Sequence, residues 1–168
     1  MKNIVINDTN IFIDLINVGL LDLFFDLPIK VHTTGFIIHE ITDEKQASII
    51  NEACTNGYIT VKEFSEKELF YFIEEYSGYG KVSLPDISVL FYSEITRYPL
   101  ITNDGPLRKI AKERGVEVKG LLFVFDMFVK EQLLTATEAK NKLTYLIGNG
   151  TRLPEEEVRN LFKEWDNF

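Results

Sequence analysis

Four carboxylates occupy positions from which chemistry could be done. Asp8 directly follows the apolar run "NIVIN", and Asp104 follows "LIT" with only Asn103 between. Both sit at the carboxyl end of a candidate strand, where parallel α/β sheets collect ligands. Asp86 comes after Leu84-Pro85 in the first turn of a candidate helix, where free amides and the helix dipole favour an acid. An ordinary helix-start acid would occupy the same place. Glu40 lies in "TTGFIIHEIT", an otherwise apolar helical stretch. Burying a carboxylate there is costly unless it is paired, protonated or bound to a cation. Glu40 is therefore either held by a partner or marks the solvent edge of its helix beside His39 and Asp43. Together the four acids describe a cluster that could bind hard cations. Mg²⁺ and Mn²⁺ prefer carboxylates and water, and close pairs of such ions drive in-line phosphoryl chemistry.

Competing chemistries find less in the chain. "HEITD" lacks the second histidine of a zinc-protease helix, and Cys54, the single cysteine, cannot build a structural zinc site. "SGYGKV" has no glycine at the P-loop distance, and neither a G-x-S-x-G elbow nor a G-x-G-x-x-G fingerprint occurs. "GNG" at 148–150 joins two candidate helices and reads as a helix C-cap without chemistry.

The elements that must position the acids follow from apolar periodicity. "NIVIN", "IKVHT", "YITVKEF", "YPLIT" and "VEVKG" are short runs, most of them rich in Val and Ile, as buried strands are. Between them, "NIFIDLINVGLLDLFFDL", "GFIIHEITDEKQASIINEAC", "SEKELFYFIEEY", "LPDISVLFYSEITR" and "GPLRKIAKERG" have helical spacing. The alternation predicts a mainly parallel sheet of about five strands, covered by helices on both faces. After "VEVKG" only helices follow: "LLFVFDMFVKEQ", "TATEAKNKLTYLIG" and "PEEEVRNLFKEW", an expected helical appendage. No repeat, low-complexity run or linker interrupts the 168 residues, and 45% hydrophobic content suffices for one core, so a single domain over 1–168 is expected.

The net charge of -8 gives the chain no overall attraction to phosphate backbones or anionic membranes. Any nucleic-acid contact must be local, and cations held among carboxylates would supply positive charge where it is needed. "GLLFVFDMFV" is too short to span a bilayer and is interrupted by Asp126, so it reads as a core helix. A lone cysteine and an opening "MKNIVIND" without a long apolar run predict a cytoplasmic protein that has no use for the membrane.

The order "VINDTNIFIDL", "GFIIHEIT", "LPDISVL", "LITNDGPLRKIAKERGVEVKG" resembles a PIN domain, similar to the VapC-type toxin ribonucleases and their stand-alone bacterial relatives. The resemblance runs from Asn3 to about Gln132 as a core over 1–132, and the helices over 133–168 are similar to the extra C-terminal helices of some members. It implies a three-layer α/β/α fold and a metal-dependent endoribonuclease. Such an enzyme uses Mg²⁺ or Mn²⁺, cuts RNA phosphodiesters and leaves 5'-phosphate and 3'-hydroxyl ends. The family's D-T-N opening, helix Glu, helix-start acid and T-x-D corner fall on Asp8, Glu40, Asp86 and Asp104. It further implies a homodimer and, where a toxin–antitoxin pair exists, an antitoxin helix laid in a groove near the site.

Within that reading Asp8 would anchor or bridge the ions, Asp86 and Asp104 would complete their shells, and Glu40 would hold a water or the second ion. Thr9, Asn10, Thr102 and Asn103 are short polar neighbours suited to orienting carboxylates and water, although Asn10 also reads as the N-cap of "IFIDLI". Asp14, one turn on, is read as facing solvent. Arg108, Lys109 and Lys112 follow the Asp104 corner, with Arg114 and Lys119 beyond, and could meet RNA phosphates or form a solvated face diluted by Glu113 and Glu117. Tyr76, Tyr79 and Lys81 precede Asp86, with packing preferred over base stacking. Aromatic content of 12% leaves room for some partner-facing apolar surface. Two further readings remain: an idle PIN-like binding or scaffold module, and a Mg²⁺-dependent phosphatase. The phosphatase is disfavoured because no second acid stands two residues after Asp8.

Overall fold

The computed structural model describes residues 3–167. It opens with β1 (Asn3–Asn7), α1 (Thr9–Asn17), α2 (Leu21–Asp26), β2 (Ile29–Thr34), α3 (Gly35–Glu40), α4 (Glu44–Thr55) and β3 (Ile59–Lys62). It continues through α5 (Glu66–Glu75), α6 (Leu84–Thr96), β4 (Leu100–Ile101), α7 (Gly105–Glu113) and β5 (Val118–Lys119). Three helices follow: α8 (Leu121–Lys130), α9 (Ala136–Gly148) and α10 (Glu155–Trp165). The five expected strands form one sheet in the order β3-β2-β1-β4-β5, every neighbouring pair parallel. Helices flank both faces, giving the three-layer α/β/α architecture. Consecutive residues Val5 and Ile6 are both buried, as a strand covered on both faces requires.

The strand order places the site. From β1 the chain moves outward to β2 and β3 on one side, then returns to lay β4 and β5 on the other. Crossovers on either side of β1 leave a crevice outside the carboxyl ends of β1 and β4, the place where open α/β sheets bind ligands. In register, Asn7 pairs with Ile101, and the next residue, Asp8, donates its N–H to the Ile101 carbonyl at 3.1 Å.

Two long helices expected from periodicity are each divided. The segment over 10–27 breaks at Gly19, whose φ of +67° is a conformation that costs a side chain strain. Leu20 N–H reaches the Leu15 carbonyl at 2.8 Å and Gly19 N–H that of Ile16 at 3.0 Å, the paired bonds of a Schellman cap. An added Cβ at Gly19 meets nothing within 4 Å, so the backbone alone sets the penalty. Gly19→Ala is expected to cost about 1 kcal/mol, seen as a fall of a few degrees in Tm with no change of fold. The segment over 35–54 breaks before α4, where Asp43 accepts from Lys45 N–H at 3.0 Å and Gln46 N–H at 2.9 Å. That side-chain cap starts a new helix instead of continuing α3.

The C-terminal helices pack as α8 against α2, α9 and α10. Leu121, Val124, Phe125 and Phe128 bury one side of α8, while Asp126 accepts the Trp165 indole N–H at 3.2 Å. Among the described residues no helix is long and apolar enough to cross a membrane.

Candidate active site

Asp8 is the N-cap of α1 and only 2% exposed. Its Oδ1 accepts the Thr9 N–H at 2.7 Å, and its Oδ2 accepts the Thr102 hydroxyl, also at 2.7 Å. Thr102 stands at the end of β4 and is itself fully buried, and its oxygen also accepts the Asp104 N–H at 3.1 Å. One threonine thus links the acids of two strand ends. Among the described residues no lysine, arginine or histidine pairs with Asp8. Burial pushes its carboxyl up to about 7, with Asp86 and Glu40 adding repulsion and the Thr102 and Thr9 bonds opposing the rise.

The other three acids surround this point. Glu40, the last residue of α3, is exposed, yet its Oε2 accepts the Thr9 hydroxyl at 2.5 Å. It lies at the solvent edge and is held there as well. Asp86 forms a capping box with Ser83, accepting Ser83 N–H at 2.8 Å. Burial raises its pKa, and the charges of Asp104 and Glu40 push the same way. Asp104 caps α7 by accepting Leu107 N–H at 2.8 Å.

The four acids therefore interact electrostatically, but among the described residues no three His, Cys, Asp or Glu side chains converge closely enough to hold one metal ion. The expected cluster is a looser ring. Its geometry follows from capping, because Asp8, Asp86 and Asp104 each turn an oxygen onto a helix N-terminus. Glu40 Oε1, Asp86 Oδ1 and Asp104 Oδ2 accept no hydrogen bond among the described residues. A donor set of carboxylates flanked by threonine hydroxyls, without thiolate or imidazole, fits a hard cation.

The polar neighbours divide. Thr9 and Thr102 donate to Glu40 and Asp8 respectively. Asn10 is exposed on the first turn of α1, and its alternative reading as the N-cap is corrected by Asp8, which caps the helix instead. Asn103 points elsewhere, its Oδ1 accepting Leu121 N–H at 3.0 Å at the start of α8. Thr102→Val would strip Asp8 and the Asp104 amide of a shared partner in a buried place. It is expected to cost about 1–3 kcal/mol in a denaturation titration at pH 8 and to raise the Asp8 carboxyl further.

The basic cluster also divides. Arg108 is half-buried, and its Nη1 donates to the carbonyls of Thr102 at 2.7 Å and Lys119 at 3.0 Å. It ties the ends of β4 and β5 together, a structural duty the reading of a phosphate-facing cation did not foresee. Arg114 pairs with Glu94 and Glu75 and lies over the Tyr76 ring at 4.4 Å. Tyr76 is 1% exposed, core as preferred. Lys109 and Lys112 remain exposed on α7.

Sequence reasoning missed the loop after α9. Asp14 is half-buried and does not face open solvent, because its Oδ1 accepts the Thr151 hydroxyl at 2.9 Å. A cleft of about 540 Å³ between α1, the Asp104 corner and this loop is lined by Asn10, Asp14, Asp104, Thr151 and Arg152 among others. The available signal was "GNGTR": a glycine at 150 that turns the chain after the helix end, with a polar pair just after it.

With this geometry in hand, the chain matches the family model DUF3368, described as a PIN domain, over residues 4–167. No curated protein matches its sequence. Among solved structures it is similar to VapBC2 from Rickettsia felis, crystallised bound to a DNA fragment from their promoter. That match has 16% identity and a TM-score of 0.48, covering 70% of this chain and 98% of the other. It is also similar to a PilT N-terminus domain protein from the archaeon Sulfolobus solfataricus P2, at 14% identity and a TM-score of 0.44, covering 72% of this chain and 89% of the other. The family match spans the sheet, the four acids and the C-terminal helices alike, and the chain belongs to the PIN-domain family.

Proposed function

We propose that this PIN domain is a Mg²⁺- or Mn²⁺-dependent endoribonuclease. One observation carries the reading: Asp8, 2% exposed and without a cationic side chain paired to it among the described residues, sits at the crevice between β1 and β4. A carboxylate so placed calls for a proton or a cation, and Glu40 and Asp86 act on it as like charges, with Asp104 acting on Asp86 in turn. These four would hold the ions, which when bound supply charge neutralisation and activation of water for phosphodiester hydrolysis. Thr102 and Thr9 keep the Asp8 and Glu40 oxygens aimed. Lys109 and Lys112 on α7 are offered as contacts to RNA phosphates. The products would be 5'-phosphate and 3'-hydroxyl ends, and the place of action the cytoplasm. A second copy of the chain and an antitoxin belong to the same proposal, and Phe70 and Ile73 on α5, 79% and 51% exposed, are apolar surface available to a partner.

A catalytically idle PIN-fold binding module is the second reading, favoured by the capping duty of Asp8, Asp86 and Asp104. Incubation of a structured RNA pool with purified protein and Mn²⁺, beside a chelated sample and Asp8→Asn, separates the two. Cutting by the wild type alone supports the nuclease. Equal cutting by the variant would show contamination, and no cutting by folded protein without any Mn²⁺-induced rise in Tm would favour the idle module.

A further inference from the structure

We infer that the loop between α9 and α10 forms one wall of the substrate groove, with Arg152 binding a backbone phosphate beside the scissile one. The inference rests on the ribonuclease reading and adds a subsite to it. The cleft holding Asp104 shares Asn103, Gly105 and Arg152 with a second cleft of about 600 Å³ that continues toward Arg108 and Lys119. Arg152 therefore stands where the two join, and a chain of phosphates leaving Asp104 would pass it.

The loop is fastened to the domain that carries the acids. Thr151 donates to Asp14 on α1 at 2.9 Å, and Lys142 on α9 donates to the Val18 carbonyl just past α1 at 2.7 Å. Gly150, at φ +102°, makes the turn that brings Thr151 and Arg152 back toward Asp104. These anchors fix the backbone on both sides of the turn, so the position of Arg152 does not depend on contacts of its own side chain.

Charge argues in the same direction. A phosphodiester approaching a chain of net charge -8 through a ring of acids needs a local cation. Arg108 is engaged with two carbonyls and Arg114, past the end of α7, with two glutamates, while the exposed Lys109 and Lys112 on α7 line neither cleft. Arg152 is exposed and makes no ion pair or side-chain hydrogen bond among the described residues. Its planar fork suits two phosphate oxygens. Glu157 also lines the outer cleft and limits the field there, which places the attraction at Arg152 and not along the whole groove.

The test is binding of a fluorescent single-stranded RNA with Mn²⁺, followed by anisotropy across a salt series. The Asp8→Asn chain is the parent, so that RNA is bound without being cut. Adding Arg152→Ala is expected to weaken binding about tenfold near 0.1 M salt and to lower the slope of log K against log salt by about 0.7, one phosphate contact on a single strand. Adding Arg152→Lys should keep the slope while losing part of the affinity. Adding Thr151→Val should weaken binding with the slope unchanged, because the charge stays and only its anchor is lost. The Mn²⁺-induced rise in Tm of a chain carrying Arg152→Ala alone should equal that of the wild type. Identical affinity and slope for parent and Arg152→Ala would overturn this inference alone. No RNA binding by the parent, together with no Mn²⁺ stabilisation of the wild type, would overturn it along with the nuclease reading.

Discussion

Asp8→Asn is expected to reduce Mn²⁺-dependent RNA cleavage roughly 10³-fold, about 4 kcal/mol of transition-state stabilisation, while the protein stays folded. The amide is nearly isosteric and can still accept the Thr9 N–H, so α1 keeps its cap. What it loses is the buried carboxylate on which Glu40 and Asp86 act as like charges. Without RNA or cation, the variant should equal or exceed the wild type in stability near pH 8, because a charge 2% exposed and unpaired among the described residues has been removed. A rate loss accompanied by collapse of the fold would assign Asp8 a purely structural part. An unchanged rate would trace the cutting to a contaminating nuclease, as equal cutting of the RNA pool by wild type and variant would.

The second large effect is on stability against pH. The Asp8 carboxyl has an ordinary pKa of 3.8 and is raised to about 7 in the fold, by burial first and by Asp86 and Glu40 as like charges. Between these values the native state holds a proton that the unfolded chain has released. Stability therefore falls as pH rises through the window, by about 1.4 kcal/mol per unit and about 4 kcal/mol in all, and it is fully present only below the unfolded pKa. Asp86 and Asp14 are raised as well and add to the fall. Glu68, lowered first by the bond from Lys62 and then by its capping box, and Glu138, lowered by its capping box, work against it at the acidic end. Urea titrations of metal-free protein at pH 4, 5.5, 7 and 8 would show this, and the difference between wild type and Asp8→Asn isolates the one residue. Equal pH profiles for the two proteins would contradict the assignment. Mn²⁺ should restore the lost stability above pH 7, where the carboxylate is free to bind it.

Much of this arrangement could be read from the chain because its signals are local. Val- and Ile-rich runs gave all five strands, though "YPLIT" and "VEVKG" shorten to two paired residues each, and Pro99 has no N–H to extend the ladder. Asp8, Thr9 and Thr102 were legible because an acid and a hydroxyl placed just after a buried strand have few directions in which to point. Helix interruptions at Gly19 and Asp43 were harder: the apolar period runs across both, and only backbone conformation and a side-chain cap decide. Arg108, Asn103 and Asp14 could not be placed at all from spacing. Their partners lie 11, 18 and 137 residues away, so their roles are set by packing that no local pattern encodes.

The bond between Thr102 and Asp8 spans 94 positions. During synthesis, β1, β2 and β3 can pair once the first 62 residues have emerged, but the residue that completes the Asp8 environment arrives much later. Closing so long a loop carries an entropic cost that is repaid only when β4 docks beside β1. The nascent chain thus holds Asp8 as an ordinary, solvated and easily ionised acid, and its unusual chemistry is among the last properties the folding protein acquires.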